Sequence, residues 1–98
     1  YIVYGESGDY DDYVKWSVYA FSTQKKAQQY KNLCQKEWNK LWKKSGLEKL
    51  KPIHGQNNSE IYSKQYDWKQ SVKNKYDSKM IIVDFSIEYF VQEIEIKG

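Results

Sequence analysis

The chain has 98 residues and a mass of 11.8 kDa, the size of one domain covering 1–98, and burial at that length supports a single core. Sixteen basic residues against thirteen acidic give a formal charge of +3; with 40% hydrophobic residues and a mean hydropathy of −0.94, the average is polar without resembling a disordered chain. These figures exclude a two-domain enzyme, and no run approaches the ~18 apolar residues of a membrane span. A single cysteine excludes an internal disulfide, and no basic-then-apolar leader opens the chain, so a reducing cytoplasm is the expected setting.

All sixteen basic residues are lysine. Without the bidentate guanidinium fork, specific base reading is disfavoured. Aromatic residues reach 17%, enough to build a core from a few large side chains.

Tyr1-Ile2-Val3-Tyr4 is rich in β-formers and predicts a short first strand that stops at Gly5, before the turn chemistry of Glu6-Ser7-Gly8-Asp9. From Tyr13, Val14, Trp16, Val18 and Ala20 alternate with Lys15, Ser17 and Tyr19, which predicts a second strand paired with the first as a hairpin. Ser22 or Thr23 then caps a long helix over 23–45, whose apolar stripe is Ala27, Tyr30, Leu33, Cys34, Trp38, Leu41 and Trp42. Gly46 ends it in the left-handed conformation, and Pro52 blocks continuation. Residues 47–58 read as a connection, and Ile61, Gln65, Trp68, Val72 and Tyr76 suit a second, polar helix from Ser59 to Tyr76. Met80-Ile81-Ile82-Val83-Asp84-Phe85 reads as a strand, as does the stretch from Tyr89 to Ile96. The expected class is α+β: a small antiparallel sheet packed on one long amphipathic helix, with a second, shorter helix.

Two charge clusters stand out. Glu6, Asp9, Asp11 and Asp12, interleaved with Tyr10 and Tyr13, form an acidic and aromatic loop that suits a basic partner, or simply keeps a hairpin tip hydrated. Residues 24–51 hold nine lysines against Glu37 and Glu48, a local charge of +7, and Lys25, Lys36, Lys40 and Lys43 fall within about 60° of one another, opposite the apolar stripe. That face suits a phosphate backbone, an acidic protein surface or plain solvent.

Other patterns carry less. Asp84 with Glu95-Ile96-Lys97 has a spacing that holds Mg²⁺ in some nucleases, but Lys97 is penultimate and nothing follows to support a site. Cys34 lies on the apolar stripe and reads as core. His54 is the lone histidine, beside Gly55, with no nucleophile motif to serve. Trp38 reads as buried, and Trp42 and Trp68 are better candidates for partial exposure. No metal or cofactor is expected, and no catalytic set is present.

Three stretches carry a resemblance. Gly8-Asp9-Tyr10-Asp11-Asp12-Tyr13, the junction Phe21-Ser22-Thr23 followed by Ala27 and Tyr30, and Tyr76-Asp77 with the closing Tyr89-Phe90-Val91-Gln92-Glu93-Ile94-Glu95-Ile96 resemble a family of small phage and mobile-element proteins marked by a Gly-x-Tyr-Ser-Asp-Tyr signature. Asp11 stands where that signature has serine, and Trp38 to Lys75 match nothing in the family. The resemblance implies a β-β-α core closed by a C-terminal strand and a phage or prophage setting, hence the cytoplasm of a bacterial host. Small non-enzymatic proteins of that setting commonly inhibit host machinery by stoichiometric binding. The expected function is therefore counter-defence, including anti-CRISPR activity, with a host nuclease or defence complex as partner. The alternative is a sequence-indifferent nucleic-acid binder using the lysine face, and a structural virion component is a further one.

Overall fold

Trp16 decides how the first strand is built. In the computed structural model, which describes residues 1–50, 55 and 57–95, β1 is Ile2–Ser7 and runs straight through Gly5. The Trp16 indole lies against that glycine, and a Cβ there would come within 2.5 Å of the ring, so Gly5 is a packing position and not the stop the sequence suggested. β2, Val14–Ala20, pairs antiparallel with β1 from Ile2↔Ala20 to Ser7↔Val14, with a register shift between Val3 and Tyr4. β3, Glu88–Gln92, pairs antiparallel on the other side of β1, from Glu6↔Glu88 to Ile2↔Gln92, giving the order β2-β1-β3.

The apolar run at 80–85 is not the strand its composition predicted. Ser7 Oγ accepts the amides of Val83 and Asp84, both at 3.1 Å, and the Asp84 carboxylate accepts the Ser86 amide at 2.9 Å, so side chains take these amides in place of a ladder. Part of the run faces inward: Met80 and Ile82 pack against the core and Phe85 stacks on Trp42 with centroids 4.6 Å apart, while Ile81 is exposed.

α1, Gln24–Ser45, starts where Thr23 Oγ1 accepts the Lys26 amide (3.3 Å) and ends at Gly46, whose φ of 71° is left-handed. It buries Ala27, Cys34 and Trp38 against the sheet, giving the α+β architecture expected. Leu33 departs from the expected stripe and is 41% exposed, because it sits about 100° around the helix from Cys34 at the stripe's centre. Gln35 clips the helix to β3: its amide donates to the Ile87 carbonyl (3.0 Å) and accepts the Tyr89 amide (2.8 Å). A 3₁₀ turn, Leu47–Lys49, follows. α2, Ser59–Ser71, stops short of the predicted Tyr76 because Val72 turns extended, with φ −70° and ψ 137°. It buries no residue fully, and Trp42 and Trp68 are partly buried.

A polar network ties these parts beneath the sheet. The Asp77 carboxylate accepts the Trp16 indole N–H (2.8 Å), the Tyr89 hydroxyl (2.9 Å) and the Lys79 amide (3.1 Å). Asn74 donates to the Cys34 carbonyl (3.1 Å) and to the Tyr89 oxygen (3.3 Å). No described buried side-chain polar atom lacks a partner. Burial and the adjacent Asp77 charge push the Cys34 thiol up to about 12 and raise Tyr89 well above its ordinary 10.0. Among the described residues no helix is long and apolar enough to cross a membrane. Pro52, His54, Ile96 and Lys97 lie outside the described residues.

Candidate functional site

The β1–β2 turn is shaped by its own acids. Gly8 at φ 90° reverses the chain, and the Asp12 carboxylate accepts the Asp9 amide at 2.7 Å, so Asp12 is engaged in holding the loop. The Tyr13 hydroxyl donates to Glu6 Oε2 at 2.6 Å, and this bond to a carboxylate raises the tyrosine's pKa. Asp9, Asp11 and Tyr10 are left facing solvent, and Tyr10 is exposed to 102%, the value of a ring with nothing against it.

The fold brings further carboxylates to this loop. Ser7 holds Asp84 beside it, donating its hydroxyl toward the Asp84 carbonyl (3.2 Å) or carboxylate (3.3 Å). Glu88 begins β3 directly opposite Glu6, a like-charge cross-strand pair that costs stability. Glu6, Asp9, Asp84 and Glu88 thus line one shallow groove with Ser7, Gly8, Tyr13 and Ser86. None of the six carboxylates of this pole, Asp11 and Asp12 included, has a lysine within ion-pairing distance among the described residues. Lys15 is the cross-strand neighbour of Glu6, yet its ammonium lies 4.2 Å from the Tyr4 ring centroid and donates to Gln92. The cation that was placed to neutralise the pole is spent on the outer face of the sheet.

The lysine face of α1 is also in place, with Lys25, Lys36, Lys40 and Lys43 all exposed. The structure divides them. Lys36 and Lys40 rim a groove of about 380 Å³ whose floor is Leu33 and Tyr76, while Lys25 and Lys43 lie outside it along the helix. Lys75 joins from the segment after α2, 4.0 Å from the Glu37 carboxylate that also meets Lys40 at 3.9 Å. The Glu37 side chain is only 12% exposed, so a carboxylate is set within the lysine row.

Asp84 lies at the acidic pole, Lys97 of the set weighed from sequence is outside the described residues, and among the described residues no three His, Cys, Asp or Glu side chains are grouped to hold a metal ion. Sequence reasoning missed Glu88, Lys75 and the exposure of Leu33. For Glu88 the signal was the β1–β3 register, which the sequence does not carry. No family model matches the chain, and comparisons with curated proteins and with solved structures likewise give no match.

Proposed function

We propose that this is a binding protein, without chemistry of its own, that sets its acid-and-tyrosine pole into a basic groove of a nucleic-acid-handling partner. The observation that carries the reading is the pole itself: Glu6, Asp9, Asp84 and Glu88 line one groove and Asp11 and Asp12 lie on the adjoining turn beside the fully exposed Tyr10, with no ion pair to any of the six among the described residues. A carboxylate array of this kind competes for the cations that hold a phosphate backbone, and an exposed tyrosine is a favoured interface anchor. The resemblance at Gly8 to Tyr13 adds the setting, making the protein a phage-type counter-defence inhibitor whose partner is a host nuclease or defence complex, with CRISPR effectors in that class. The nucleic-acid reading of the lysine face stays second, because Glu37 sits within the lysine row and lowers its net charge.

The test compares tagged wild type with Asp9→Lys/Asp11→Lys, a pair that spares the loop-shaping Asp12. From nuclease-treated bacterial lysate the wild type is expected to retain one basic partner in stoichiometric amount and to inhibit that partner once purified. The variant, with an unchanged circular dichroism spectrum, loses both. Equal retention by the variant, or recovery of nucleic acid in place of protein, overturns the reading.

A further inference from the structure

The groove on α1 has an unusual make-up for a cationic surface. Its floor is the exposed Leu33 and Tyr76, its rim is Lys36 and Lys40 with the Glu37 carboxylate between them, and Lys75 approaches Glu37 from the segment after α2, so the three lysines leave a net positive charge beside an apolar floor. A nucleotide stacked on Tyr76 would also use such a surface; an aromatic side chain flanked by carboxylates satisfies floor and rim together and brings fewer negative charges past Glu37 than a phosphate chain does. The chain carries that chemistry itself at residues 9–12, where Tyr10 is fully exposed between Asp9 and the Asp11-Asp12 pair.

We propose that the α1 groove receives the residue 9–12 loop of a second copy of this chain, with Tyr10 over Leu33 and Tyr76 and the flanking acids against Lys36, Lys40 and Lys75. Two such contacts, each copy giving its loop and receiving the other's, close a two-fold dimer. The dimer covers the pole that the functional reading assigns to a partner, so it is the resting form and partner binding must open it. The inference shares the loop with that reading, and its test therefore uses the purified chain alone, where loss of self-association says nothing about a host partner.

Sedimentation velocity is run on nuclease-treated protein at about 0.1 M and about 1 M salt, where the Debye lengths are roughly 10 and 3 Å. A concentration-dependent dimer is expected at the lower salt and a monomer at the higher. Asp9→Lys/Asp11→Lys and Lys36→Glu/Lys40→Glu are each expected to be monomeric. Mixed one to one they regain a dimer, because each loop then meets a groove of opposite sign, and this recovery also shows that both variants are folded. Tyr10→Ser is expected to weaken the dimer roughly tenfold or more with folding intact. A monomer under every condition, a dimer indifferent to both reversals, no recovery in the mixture, or association that vanishes on nuclease treatment each overturns the proposal.

Discussion

The sheet core and the junction with α2 are held by different physics. Under the sheet, Val3, Cys34, Ile87 and Tyr89 are buried around a hydrogen-bond network in which Asp77 satisfies donors from Trp16, Tyr89 and Lys79. At the junction, α2 contributes no fully buried residue and is held by ring contacts among the half-buried Trp42, Trp68 and Phe85 and the buried Trp38. Trp68 lies 5.6 Å from Trp38, 5.7 Å from Trp42 and 6.0 Å from Phe85, centroid to centroid, with the Lys69 ammonium 4.9 Å from the Phe85 ring. Directional bonds fail together when one atom is removed, whereas dispersion and ring contacts decline by degrees. The first region should therefore break cooperatively and the second should loosen.

The largest effect is expected at Asp77. Asp77→Ala strands the Trp16 indole N–H and the Tyr89 hydroxyl in the interior, and at about 1–3 kcal/mol for each unsatisfied buried donor the loss is about 2–6 kcal/mol. That is a large share of the roughly 5–15 kcal/mol of a whole domain, so the urea midpoint should fall steeply. A loss below about 1 kcal/mol would show that the network contributes little to the comparison.

Alkaline pH probes the same region by a different route. Cys34 goes from an ordinary 9.0 to about 12 on folding, and Tyr89 rises above 10.0. Both are neutral when protonated, so the native state holds these protons more tightly than the unfolded chain does. Their stabilisation is full below about pH 9 and is lost as pH climbs toward the folded values, with a slope of about 1.4 kcal/mol per pH unit for each group. Urea unfolding at stepped pH should show this decline, and Cys34→Ala should flatten its lower part. A slope unchanged by that substitution contradicts the assignment.

How much of this was readable beforehand depended on whether a signal is local. α1 was legible at both ends because Thr23 and Gly46 act on their own neighbours. The hairpin was legible through the alternation from Val14 to Ala20. Gly5 was misread because its role is set by Trp16 on the partner strand, and 80–85 because continuous apolar character marks burial without saying whether a ladder or Ser7 satisfies the backbone. The site followed the same division. The loop acids at 6–12 were visible as a cluster, but Asp84 and Glu88 reach them through long-range pairing, and Lys75 reaches α1 across a turn that ends in the Asn74↔Asp77 bridge. Period and capping fix elements, while the partners of a side chain from another element depend on register.

The junction carries the smallest of these effects and the sharpest contrast. Trp68→Ala removes one ring from a cluster that Trp38, Trp42 and Phe85 can partly close over, and Trp68 itself is only half-buried. The cost should be about 1–2 kcal/mol, below the roughly 3–5 kcal/mol typical of a fully buried tryptophan. Its signature is location. Lys69, one residue on, bridges α2 to the sheet side by donating to the Val83 carbonyl at 3.3 Å and lying over the Phe85 ring, and without Trp68 beside it that bridge carries more of the attachment. Native-state hydrogen exchange should show α2 amides losing protection while β1 amides, deep in the sheet, exchange through global unfolding at a rate raised only by the modest loss of stability. If β1 and α2 instead lose protection by the same amount, the two regions form one cooperative unit, and the distinction between a bonded core and a ring-held junction does not hold.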